Sequence, residues 1–76
     1  MYNASVIAER IKTLRKEKVI TQKELADGAK IGLSTVKQYE TGKRVPEKHN
    51  LSLIANYFGV LEGWIVGDTP YKTIFE

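Results

Sequence analysis

Ile7, Ile11 and Leu14 recur at steps of four and three, with Glu9, Lys12, Lys16 and Glu17 among the residues between and beyond them. That is the period of an amphipathic helix, and it predicts one over about residues 5–18. After a break at Val19-Ile20, Thr21-Gln22-Lys23-Glu24 reads as a capping box, in which hydroxyl and carboxylate satisfy backbone N–H groups at a helix start. A second helix follows through Leu25, Ala26 and Ala29. Gly28 weakens its end and Lys30-Ile31-Gly32 supplies a turn, so a third helix begins near Leu33. It buries Val36 and Tyr39 and closes near Thr41-Gly42, where glycine takes the left-handed conformation. Beyond Pro46, Leu51, Ile54, Ala55 and Phe58 line a fourth helix ended by Gly59, and Leu61, Trp64 and Ile65 a fifth ended by Gly67.

The pattern therefore predicts an all-α, compact five-helix fold. Val36, Tyr39 and Trp64 belong to its core. Residues 1–67 form the domain, and residues 68–76 a C-terminal tail. There a Thr-Pro pair and the alternation of Tyr71, Thr73 and Phe75 argue against helix, leaving an extended or disordered segment able to contact a partner.

Seventy-six residues allow one small domain without a deep substrate cleft. With no cysteine, neither a disulfide nor a thiolate metal site is available, and the apolar side chains alone must hold the fold. The apolar runs are too short for a membrane span, and the N-terminal residues lack the pattern of a signal peptide. The expectation is a cytoplasmic chain without a membrane partner. The net charge of +3 is unevenly placed: residues 1–48 hold 11 Lys/Arg against 6 Asp/Glu, giving +5, and the remainder carries −2. Such a split suits a polyanion-binding face backed by a neutral core.

The third helix sharpens this. Its polar side presents Ser34, Lys37, Gln38 and Thr41 with no acid among them. An ordinary wet face would mix charges, whereas these groups can bond base edges: Gln spans adenine N6/N7, Lys donates to guanine O6 or N7, and Ser suits several bases. Two short helices joined by a three-residue turn are the local signature of a helix-turn-helix, whose second helix enters the major groove. Thr41, Gly42, Lys43 and Arg44 then offer a hydroxyl, backbone N–H groups and two cations where a phosphate would run.

Through TQKELA, TVKQYETGKRVP and YFGVLEGWIVG the chain resembles the Cro/CI-type, lambda-repressor-like helix-turn-helix regulators over roughly residues 5–67. The resemblance implies a five-helix domain, usually dimeric, that binds operator DNA. It places base reading on Leu33, Ser34, Lys37 and Gln38, and phosphate contact at the start of the second helix on Gln22 and Lys23. It also pairs Arg15 of the first helix with Glu40 at the end of the third, a structural ion pair that can turn Arg15 toward phosphate. The chain departs from the family pattern at Lys30, where glycine is usual, at Gly32, where Ser or Thr caps, and at Leu33, where a polar reader is common. A left-handed Lys30 costs about 1–2 kcal/mol, and a Gly cap gives up a few tenths relative to Ser.

The function expected is sequence-specific binding of double-stranded DNA by a transcriptional regulator, a phage or bacterial repressor acting as a homodimer on a palindromic operator. Leu61, Ile65, Tyr71, Ile74 and Phe75 are the candidate dimer contacts. The alternative is a protein-binding module of the same fold, antirepressor or antitoxin-like, gripping a second regulator through the third helix and the tail. His49 is the single histidine and decorates the start of the fourth helix. Without a cysteine or a paired carboxylate site, no catalysis, cofactor, metal or small-molecule substrate is expected.

Overall fold

Five helices follow one another in the computed structural model, which describes residues 2–73: α1 (Ala4–Lys18), α2 (Gln22–Ala29), α3 (Leu33–Glu40), α4 (Lys48–Phe58) and α5 (Glu62–Val66). Among the described residues there is no strand. Local chemistry sets most boundaries. The Asn3 side chain accepts from the Ser5 and Val6 N–H groups at 2.8 and 3.3 Å and opens α1. The expected capping box opens α2: the Thr21 hydroxyl accepts from Glu24 N–H at 3.0 Å, and the Glu24 carboxylate accepts from Thr21 N–H at 2.8 Å. Gly32 starts α3 with no side-chain cap.

At the other end of α3, Gly42 is left-handed (φ 76°), as its position predicts. The Gly42 N–H bonds to Tyr39 C=O at 3.3 Å and the Lys43 N–H to Gln38 C=O at 3.0 Å. Together they form a Schellman closure. Two non-glycine residues also close helices in the left-handed region, Val19 (φ 58°) after α1 and Lys30 (φ 61°) after α2. For the β-branched, exposed Val19 this conformation is strained.

Ile7, Ile11 and Leu14 of α1 meet Leu25, Ala26 and Ala29 of α2, Val36 and Tyr39 of α3, Leu51, Ile54 and Ala55 of α4, and Ile65 and Val66 of α5 in one core. Each fully buried Ile or Leu contributes about 1.5–3 kcal/mol, which is how so short a chain holds together without disulfides. α1 lies against α3 and α5, and α2 against α3 and α4.

Gly28 does more than weaken a helix end. α2 continues through it to Ala29, and a methyl group at position 28 would lie 2.3 Å from Tyr57 Cε1 and 2.7 Å from Cζ. The missing side chain lets the Tyr57 ring lie on α2, where it meets the Phe58 ring edge-on (centroids 5.1 Å apart, 74°).

Trp64 is not core. It is half-buried, with the Arg10 guanidinium 4.3 Å from its ring centroid and the Lys72 ammonium 5.1 Å away. The described part of the tail is non-helical, and it is tied down: Leu61 N–H donates to Lys72 C=O at 2.8 Å, and Lys72 pairs with Glu17 of α1.

Candidate nucleic-acid interface

The face of α3 divides as its spacing requires. Val36, Tyr39 and Glu40 are buried, while Ser34, Lys37 and Gln38 are exposed on the opposite side. No carboxylate among the described residues pairs with Lys37 or Lys43. Leu33, the fourth residue expected to read bases, keeps only part of its surface. It is half-buried and packed against the core, because the first residue of α3 still faces its neighbours.

The helix is held from behind by a buried ion pair. Arg15 Nε donates to Glu40 Oε2 at 2.7 Å and Nη2 to Oε1 at 3.0 Å, while Nη1 donates to the Ile20 carbonyl at 3.1 Å. Gln22 Nε2 adds a bond to Glu40 Oε1 at 3.3 Å. The pair therefore fastens α1, the α1–α2 turn, α2 and α3 at one point. The side chains of Arg15 and Glu40 are 17% and 2% exposed, so little of either reaches solvent. Hydrogen bonding to Glu40 raises the Arg15 pKa above the ordinary arginine value, against the opposing effect of burial. Three of Arg15's five N–H groups are engaged in this way.

The other phosphate candidates differ in how free they are. Lys23 is exposed and paired with Asp27 across one turn at 3.0 Å. Thr41 does not offer what was expected: its hydroxyl donates to the Lys37 and Gln38 carbonyls at 3.0 and 3.2 Å. Its N–H and those of Gly42 and Lys43 also turn inward, to Lys37, Tyr39 and Gln38 carbonyls. Helix closure consumes these donors.

Arg44 is exposed, with Nη2 3.3 Å from Glu47 Oε2. The other oxygen of Glu47 accepts from the buried Tyr39 hydroxyl at 3.0 Å, and Asn50 Nδ2 donates to that hydroxyl at 2.9 Å. Burial, above all, pushes the Tyr39 phenol up. The bond from its own backbone N–H, followed by that from Tyr39, holds the Glu47 carboxyl below the usual range. This relay went unread in the sequence, where only Tyr39's burial was visible.

Of the candidate dimer contacts, Tyr71 is 58% exposed and Leu61 half-buried, but Ile65 has no exposed surface. It is a core residue and cannot face a partner. Ile74 and Phe75 lie outside the described residues. His49 is exposed at the start of α4, as expected. Among the described residues no His, Cys, Asp or Glu cluster could hold a metal, and no helix is long and apolar enough to cross a membrane.

A family model described as helix-turn-helix matches residues 11–65. Among curated proteins, the chain is similar to the cryptic phage CTXphi transcriptional repressor RstR of Vibrio cholerae, with 30% identity over 64 residues. The aligned region is 84% of this chain and 58% of that relative, so the chain spans under two thirds of the relative's length. No solved structure matches significantly.

Proposed function

The chain belongs to the helix-turn-helix family, a family of regulators and not of enzymes, and from that premise we propose that it is a repressor binding double-stranded DNA in a sequence-specific way. The observation that carries this reading is the outward, acid-free side of α3, set against a buried clamp that fixes its angle. Ser34, Lys37 and Gln38 read base edges in the major groove. Lys43, Arg44, Lys23, Gln22 and the free N–H groups of Arg15 take phosphates and set register. The repressor named above acts on transcription in a phage setting, and the same role is proposed here.

One copy offers few base contacts. Two copies, set about 34–36 Å apart on a two-fold symmetric operator, supply the affinity that regulation needs. Leu61, Tyr71, Ile74 and Phe75 are the proposed dimer contacts. Residues 1–67 are the DNA-binding unit and residues 68–76 the appendage that reaches a partner. The protein-partner alternative rests on Leu33 and the apolar tail; Leu33 is partly covered by the core, and Tyr71 of the described tail is 58% exposed, a surface that the dimer reading uses equally.

Selection from a random duplex pool followed by anisotropy titration tests the proposal. A palindromic site should emerge, with log K falling by about 0.9 per phosphate contact per unit of log salt. Gln38→Ala should cost about 1–3 kcal/mol on that site and relax one base position, while Lys43→Ala weakens all sequences alike. Equal losses on specific and random DNA for both variants would count against base reading, and no enriched site would sink the sequence-specific function.

A further inference from the structure

Arg44 and Lys43 are neighbours in the loop after α3, yet only Arg44 meets a carboxylate among the described residues. That carboxylate is not a casual surface partner. Glu47 Oε1 is fixed by the hydroxyl of Tyr39, a ring with no exposed surface, and Asn50 of α4 fixes the hydroxyl in turn. Glu47's own backbone N–H also bonds the carboxylate, and Oε2 takes the guanidinium at 3.3 Å. A carboxylate oriented from the core thus meets the Arg44 guanidinium through one long contact, offering it the same kind of anionic acceptor that a phosphate would.

We propose that Glu47 is a built-in phosphate surrogate that occupies Arg44 in the free protein and so sets how strongly this face grips any duplex. The inference rests on the DNA-binding reading above. It reverses the simple expectation for a residue bonded to a proposed contact: Glu47 opposes binding. The ion pair is exposed (46% and 53%) and holds Arg44 only weakly, while the carboxylate stays close to the DNA as a repelling charge. When Arg44 moves to a phosphate, Glu47 is left unpaired within the DNA's cation atmosphere and retains part of it, so fewer ions are released overall. Lys43 meets no such competitor. The loop's two cations thus differ: Lys43 contributes fully and Arg44 against resistance.

Glu47→Gln is the decisive variant, because a glutamine oxygen can still accept from Tyr39 while the charge is gone. In the full chain, with anisotropy titrations against random-sequence duplex over a salt series, it should bind about 3- to 10-fold more tightly at 0.1 M salt. Its slope of log K against log salt should steepen, by up to about 0.9, and its melting temperature at pH 7 should fall while the fold is kept, because the lowered Glu47 carboxyl marks the charged form as the stabilising one. In an Arg44→Ala background the same change should leave the slope where it was, since the extra ion is released through Arg44. Weaker binding by Glu47→Gln would make Glu47 an aid to Arg44 and overturn the proposal, as would equal steepening in both backgrounds or an unchanged slope. If wild type and variants alike bind no duplex at any salt, the DNA-binding reading fails first, a distinct outcome.

Discussion

Gly28→Ala adds a single methyl group to α2, and two effects of opposite sign meet there. In a helix interior, alanine is favoured over glycine by about 0.8–1.0 kcal/mol. Against this, the new carbon would lie 2.3 Å from Tyr57 Cε1, where carbon atoms rest about 3.5–4.0 Å apart. The ring must therefore retreat by more than about 1 Å. Doing so disturbs its edge contact with Phe58, about 0.5–1.5 kcal/mol. It also disturbs the approach of the Lys18 ammonium, 5.4 Å from the ring centroid, a partly solvated contact of about 0.5–1 kcal/mol.

Because the atoms met are the outer end of a half-buried ring that can swing aside, the loss is confined to these two contacts, which slightly exceed the propensity gain, and Gly28→Ala should destabilise by about 0.5–1 kcal/mol. In a Tyr57→Ala background the obstacle is gone and the same methyl group should stabilise by about 0.5–1 kcal/mol. Urea titrations of the four proteins, followed by circular dichroism, give the cycle directly; the expected coupling is about 1–2 kcal/mol. Equal effects of Gly28→Ala in both backgrounds would refute the packing role of Gly28 and leave only its helix propensity.

Three further outcomes are expected. Arg15→Ala strands Glu40, 2% exposed, with the Gln22 amide as its one remaining side-chain donor, and should cost about 3–5 kcal/mol by urea melt; an unchanged transition would refute the clamp. Val19→Gly relieves a left-handed β-branched residue that is 86% exposed and should add about 1 kcal/mol, read as a rise in melting temperature; no rise would mean the turn is unstrained. The Glu62 carboxyl is held below its usual value first by Lys48 and then by Ser52. Its stabilisation is present above pH 4.5 and is lost as pH falls through the lowered folded value. Glu62→Gln should therefore weaken the protein at pH 7 and match wild type once pH has fallen below the lowered value and the wild-type carboxyl is protonated; a gap that persists there would assign the loss to packing.

Much of this architecture could be read from residue order because its signals are local. The period of Ile7, Ile11 and Leu14, the Thr21–Glu24 box, and the glycines at 42, 59 and 67 each act within a turn or two of chain. The misreadings come from what locality omits. Leu61 and Ile65 share a helical period, but only packing against α1 decides that Ile65 is sealed while Leu61 keeps some surface. Thr41 could bond outward or to its own helix, and sequence does not rank the two. Val19 carries none of the glycine signal that usually marks a left-handed closure. Gly28 and Tyr57 lie 29 positions apart, so the reason for that glycine exists only after α2 and α4 have met.

The molecule has a single indole, and it lies between a guanidinium from α1 and an ammonium from the segment after α5. Its emission is thus a native optical gauge of that junction, needing no attached dye. An event that lifts Lys72 from the ring, whether operator binding or pairing of two copies, would alter the indole's surroundings and register as a change in colour or brightness. The same cuvette could follow assembly and DNA capture as separate signals, one from the protein and one from a labelled duplex.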